Sequence, residues 1–306
     1  MDTLITSHAI AGALRELGHE AALAPFVASP EGVRAAVRDA RADVVFNMVE
    51  SVFGQDSLAA LAPAILENLA IPYTGSASAP IALASNKPLA KRVMRSGGLP
   101  TPDWAESPHW EGLGEDRRYV VKAANEDASL GLDDHAVVLG RQAIAARARA
   151  CMERFGGIWF AEGYIEGREF NVALLEEDGV PRILPIPEMR FEGWPDERPR
   201  IIGYSAKWDE ESEECAMTAR VFGLENDDAT LAAQLGELAQ KAWHLFGMRA
   251  YIRVDFRVDE TGCPMILEVN PNPSLEPQVG FAVTAAQAGI AYPDLIARIL
   301  GSAFGN

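Results

Sequence analysis

Two short stretches near the end of the chain carry oxygen-bearing side chains at spacings that suit a cation. In "YIRVDFRVDETGCPMILEVN" (251–270), Ile252, Val254, Phe256 and Val258 alternate with Arg253, Asp255 and Arg257. Period-two alternation places the three charged residues on one face of a strand. "DETGCP" supplies turn residues, and "MILEVN" begins a return strand. A hairpin centred on Thr261-Gly262 sets Asp255 opposite Glu268 and Arg253 opposite Asn270. Facing carboxylates weaken a sheet unless something compensates. Asp255, Glu268 and Asn270 offer three oxygen donors and no soft ligand, which suits Mg²⁺. A solvent-exposed hairpin face salted by Arg253 and Arg257 fits the same pattern.

A Mg²⁺ with few protein ligands usually arrives with a polyphosphate. "VVKAANEDASLGL" (120–132) ends an apolar strand on Lys122 and continues into "EDASLG" (126–131). That loop can lay backbone N–H groups over phosphates; a mobile surface loop has the same composition. In "EGYIEGRE" (162–169), Glu162 and Glu169 flank a glycine-bearing linker. Such a linker can hold a planar base through its backbone and ribose hydroxyls through a carboxylate. An acidic, flexible connection is the plainer reading. "YSAKWDEESEECA" (204–216) sets Lys207 among acidic residues, where a surface ion pair worth little is the alternative.

These residues need elements to position them. Helical spacing predicts helices over 3–19, 58–71, 86–97, 143–156, 229–248 and 292–304. Strands are predicted at 42–49, 118–123, 250–258 and 264–270, with three more strands between 158 and 184. Strand–helix alternation in the first part suggests an open α/β sheet. Boundaries are predicted near Gly97-Gly98, with its proline-rich sequel, and near 163–168.

Bulk composition narrows the function classes. The 306 residues carry a net charge of −17, a field that repels nucleic acid and anionic lipid. No apolar run approaches a membrane span, and the N-terminus shows no signal peptide. Cys151, Cys215 and Cys263 are isolated, without disulfide or metal spacing, which fits a reducing cytoplasm. The five histidines are scattered, so zinc or histidine-based chemistry has little support.

In order and spacing, "VVK" with "EDASLG", Glu162 and Glu169, Lys207, "RVD" and "LEVN" resemble an ATP-grasp ligase. Within that superfamily the chain resembles the D-alanine–D-alanine ligase group, and "IPYTGS…NKPLAKRVMRSGGLPTP" (71–102) is similar to that group's lead-in to its central domain. The resemblance implies an α/β fold of α+β subdomains: an N-terminal domain (1–85), a central lid domain (86–166) and a C-terminal catalytic domain (167–306). ATP would lie between the last two. Lys87 and Lys122 would contact phosphates, and Glu126 to Gly131, with Ser129, would form the lid. Glu162 and the backbone near Ile165 would border adenine, and Glu169 the ribose. Lys207 would reach the γ-phosphate. Asp255, Glu268 and Asn270 would hold one or two Mg²⁺, with Mn²⁺ an alternative, and Arg253 would stabilise an oxyanion. A substrate carboxylate would become an acyl phosphate and then meet an amine. A homodimer is implied by resemblance only.

Departures from the group gather where substrate would bind. The group's N-terminal glutamate–serine motif has no counterpart in "MDTLITSHAIAG". Its paired lid serines read Asp127-Ala128-Ser129, its loop tyrosine reads Trp208, and its histidine–glycine reads Glu50-Ser51. Beyond "EVN" the chain reads "PNPSLEP", making Ser274 and Glu50 candidate substrate contacts. The reading is a ligase of amino acids or small peptides, distinct from a true D-alanine–D-alanine ligase. A non-catalytic nucleotide-binding protein and an ATP-grasp cyclo-ligase or kinase are the alternatives.

Overall fold

The computed structural model of the chain describes residues 2–126, 129–209 and 211–304. Asp127 and Ala128 of the lid loop lie outside the described residues, as does the side chain of Trp208.

The N-terminal region is helical: α1 (Asp2–Glu16), α2 (Pro30–Ala40), α3 (Leu61–Asn68) and α4 (Ser78–Ala84). The strand and open sheet expected around 42–49 are not found among the described residues. That segment makes one isolated parallel bridge, Val45 to Tyr73. Val44, Phe46 and Met48 pack on one core while Val45 packs on another. The alternation therefore reflects a chain sandwiched between two apolar layers rather than a laterally paired strand.

α5 (Lys87–Ser96) starts where the Asn86 side chain accepts from Leu89 N at 2.9 Å, with proline in the first turn. There follow β1 (Trp104–Glu106), β2 (Arg118–Ala123), β3 (Val137–Leu139), α6 (Gly140–Phe155) and β4 (Trp159–Gly163). These strands form an antiparallel sheet in the order β1-β4-β2-β3. Tyr119, Val121, Trp159 and Ala161 share a core with Ile144 and Ala148 of α6. Alternation turns Val120, Lys122, Phe160 and Glu162 to the opposite face.

The second sheet comprises β5 (Gly167–Glu177), β6 (Val180–Ile183), β7 (Glu188–Phe191), β8 (Thr218–Val221), β9 (Tyr251–Asp259) and β10 (Pro264–Asn270). Its path is β10-β9-β5-β7-β8, with β6 also beside β5. Between these strands lie α7 (Tyr204–Trp208), α8 (Glu213–Ala216), α9 (Leu224–Asp227) and α10 (Ala229–Phe246); α11 (Gly280–Gln287) and α12 (Tyr292–Gly301) follow. α2, α4, α7, α8, α9, α11, β1, β3, β7 and β8 are additions to what the sequence predicted.

Ile252, Val254, Phe256 and Val258 are at most 1% exposed and pack with α10 and with Ala90 and Met94 of α5. On the other face, Tyr251, Ala173 and Leu175 are covered by α1, α11 and α12. Beyond that cover, Asp255 and Arg257 line a cleft below the first sheet, and Arg253 shares their face of β9. No helix among the described residues is long and apolar enough to cross a membrane.

Candidate active site

The hairpin register holds where the chemistry needs it. Glu268 pairs with Asp255 and Asn270 with Arg253. Nearer the turn the pairing slips by one, Ile266 to Phe256 and Met265 to Arg257, because a bulge intervenes between Ile266 and Glu268. Strict alternation from Met265 would bury Glu268 beside Ile266. The bulge returns Glu268 to the cleft face while Val269 stays in the core.

Ten of the predicted residues line one cleft between the sheets: Lys87, Lys122, Glu126, Ser129, Glu162, Ile165, Glu169, Lys207, Asp255 and Glu268. Arg253 stands just behind it, its Nε and Nη2 donating to the two oxygens of Asp255 at 2.7 and 2.8 Å. Asn171 Nδ2 also donates to Asp255, at 2.9 Å. Lys87 Nζ lies 3.8 Å and Arg253 Nη2 4.0 Å from Glu268. Burial pushes the Glu268 carboxyl up, but Lys87, Lys207, Lys122 and Arg253 overcome it and hold the pKa at about 2. The carboxylate is thus ionised and set beside that of Asp255. With the Asn270 amide oxygen on the next pair, the donor set is all oxygen, and it fits a hard divalent ion.

The phosphate-side lysines have partners the sequence did not assign. Lys122 forms an ion pair with Glu162, a diagonal neighbour on β4. Lys91 reaches the same carboxylate at 2.5 Å from α5 and donates to Thr101 Oγ1 at 2.9 Å. Lys91 is wholly buried and Glu162 is 1% exposed. Burial raises the Glu162 pKa, but Lys122 and Lys91 outweigh it and leave the carboxyl below its ordinary value. Sequence reasoning missed Lys91. Its signal was the four-residue spacing from Lys87, which puts both ammoniums on one helix face.

Glu169, expected at the ribose, is ion-paired with Arg257 at 3.0 Å. Arg257 in turn donates to the carbonyls of Gly167, at 3.0 Å, and Arg200. In the lid, Lys87 donates to the Glu126 carbonyl at 2.8 Å, and Ser129 Oγ donates to the Ile202 carbonyl across the cleft at 3.2 Å. Gly131 does not line the cleft; it packs on Trp159, which a Cβ there would meet at 2.7 Å.

At the substrate end, Tyr251 Oη donates to Asn272 at 2.7 Å, and Asn272 Nδ2 donates to the Val49 carbonyl at 3.3 Å. The loop after "EVN" is thereby tied to the segment carrying Glu50. Burial, and then the Glu50 charge nearby, push the Tyr251 hydroxyl pKa upward. Ser274 Oγ accepts from Glu276 N at 3.3 Å in the same loop.

Residues 116–301 match the family described as D-ala D-ala ligase C-terminus. The chain is 31% identical over 270 residues to the uncharacterized protein y4sG of Sinorhizobium fredii, covering 86% of this chain and 76% of that one. It is 32% identical to the D-alanine–D-alanine ligase of Acidiphilium cryptum, over 98% of this chain and 93% of that one. In fold it is similar to the D-alanine–D-alanine ligase of Bacillus anthracis, with a TM-score of 0.76, 20% identity and coverage of 99% and 92%. The ATP-grasp fold and these sequence relations agree: the chain belongs to the D-alanine–D-alanine ligase family of ATP-dependent enzymes, which form carbon–nitrogen bonds and release ADP.

Proposed function

We propose that this enzyme joins amino acids or small peptides through an acyl phosphate, and that its substrate pair is other than two D-alanines. The observation that carries the ligase chemistry is the convergence of Lys87, Lys122 and Lys207 with the Asp255–Glu268 pair on one cleft. A substrate carboxylate oxygen attacks the γ-phosphorus of ATP, the bond to the β-phosphate oxygen breaks, and ADP leaves. An amine nitrogen then attacks the acyl carbon, phosphate departs, and the ammonium proton is lost. Lys87, Lys122 and Lys207 neutralise charge developing on the phosphoryl oxygens. Asp255, Glu268 and Asn270 would hold Mg²⁺, which supplies Lewis-acid neutralisation of the same oxygens. Arg253, fixed by Asp255, supports the acyl oxyanion. Glu126 to Gly131 exclude water that would hydrolyse the acyl phosphate. The Bacillus anthracis structure was obtained in complex with ATP, which supports the nucleotide assignment.

The substrate reading rests on Glu50 and "PNPSLEP". A carboxylate beside the Tyr251–Asn272 link favours an amine or other cationic group. The family resemblance extends the reading to a cytoplasmic homodimer, which sedimentation would test. The substrate test is phosphate release with Mg-ATP over D- and L-amino acids and dipeptides, with product masses. Turnover on an acceptor other than D-alanine supports the reading. Efficient formation of D-alanyl-D-alanine would overturn the altered specificity, and ATP binding without turnover on any substrate would overturn the ligase.

A further inference from the structure

Lys91 is a wholly buried cation that no step of the reaction above uses. It lies on α5, whose Ala90 and Met94 seat the helix on the core of the second sheet with Val254, Ile266 and Val269. Its ammonium reaches in two directions. Toward the first sheet it meets Glu162 of β4 at 2.5 Å. Toward the second it donates to Thr101 Oγ1 at 2.9 Å, and Thr101 Oγ1 donates to the Ile266 carbonyl at 2.8 Å. An ammonium has donors and no acceptor, so it sets the direction of that hydroxyl: a lone pair faces Lys91, and the hydrogen is left for Ile266. The Ile266 N–H donates to the Pro100 carbonyl at 2.8 Å. Both backbone groups of Ile266, on the outer edge of β10, are therefore held by Pro100 and Thr101. Ile266 is also the residue at which the bulge begins that turns Glu268 to the cleft. Apolar side chains of like volume would fill positions 91 and 101 without burying a charge. They could not hold the Glu162 carboxylate and that bulge at a fixed separation.

We propose that Lys91 is a positioning residue: with Thr101 it fixes the Glu162 carboxylate, on the base side of the cleft, relative to the bulge that aims Glu268 at the metal. The nucleotide lies between two sheets, and this link spans them where base and metal must both be reached. Groups that support a metal ligand in this way tune how tightly the ion is held. The inference rests on the nucleotide and metal readings above and concerns what keeps their two sites in register.

The test uses the full chain and two probes: ADP alone, by calorimetry, and Mn²⁺ added to the ADP-bound protein, read by electron paramagnetic resonance. Thr101→Val keeps the side-chain shape and the Lys91–Glu162 pair but cuts the link to Ile266. It is expected to bind ADP without metal within about twofold of the unchanged protein and Mn²⁺ about tenfold more weakly. Thr101→Ser should restore the Mn²⁺ affinity. Lys91→Met should weaken both probes, and adding Thr101→Val to it should cost little further Mn²⁺ affinity, because the relay is already broken. A purely structural pair would lower the melting temperature of each variant and leave Mn²⁺ affinity, measured well below that temperature, unchanged. Unchanged Mn²⁺ affinity in Thr101→Val, or losses in the two variants that simply add, overturn the relay. Where Lys91→Met does not fold, the two Thr101 variants decide alone. If the unchanged protein binds no ADP, the nucleotide reading falls; if it binds ADP but no Mn²⁺, the metal reading falls; in either case the relay falls with it.

Discussion

At the scale of single residues, the cleft is governed by how few carboxylates serve its cations. Glu162 forms ion pairs with both Lys91 and Lys122. Removing one side of a buried ion pair costs about 3–5 kcal/mol, because the remaining charge stays buried and unpaired. Glu162→Gln should therefore lower the melting temperature sharply and weaken ATP binding as Lys122 loses its anchor. The effect has a pH signature. The Glu162 pKa lies below its ordinary 4.5, so its stabilisation is present above that value and disappears as pH falls through the folded-state pKa. The stability gap between the unchanged protein and Glu162→Gln should then close below about pH 4.5; a pH-independent gap would contradict the ion-pair account. On the other sheet, Asp255→Asn and Glu268→Gln should each reduce Mg-ATP turnover by about 100-fold or more, given the usual size of such electrostatic terms. Circular dichroism should show the fold intact, and near-normal turnover in either variant would refute the metal assignment. The sequence showed Lys122 and Glu162 as oddities but not as each other's partners. The diagonal pairing of β2 and β4 depends on a register that neither strand displays alone.

At the scale of elements, two local irregularities set the geometry. The bulge between Ile266 and Glu268 keeps Glu268 on the cleft face, and alternation alone could not reveal it, since the apolar residues on both sides look regular. Gly167, in the linker between the two sheets, has φ 141, and a Cβ there would collide with the Val258 carbonyl. Gly167→Ala should cost about 2 kcal/mol or more through backbone strain and displacement of β5 from β9. Denaturant unfolding would measure it, and an unchanged midpoint would contradict the packing described. α10 and β9 were legible because their periodicities are long and unbroken. β7 and β8 were not, being four residues each within a polar stretch. The 42–49 segment was misread because two apolar layers impose the same alternation as a half-buried strand.

At the scale of the whole molecule, the lid is bound to the opposite lobe. Arg198 joins Asp134 and Glu214, each at 2.5 Å, and Gly203 approaches the Leu132 carbonyl so closely that a Cβ would meet it at 2.5 Å. Arg198→Ala should speed hydrogen exchange across residues 129–134 and raise the KM for ATP, as expected when closure is weakened. Exchange unchanged in that segment would show that the closure does not depend on Arg198. The central claim is that ATP activates a carboxylate for attack by an amine. The direct measurement supplies the turned-over carboxylate labelled with ¹⁸O and reads the phosphate by mass spectrometry. The account predicts one ¹⁸O in each phosphate, carried over from the acyl phosphate. Unlabelled phosphate formed in step with product would contradict it.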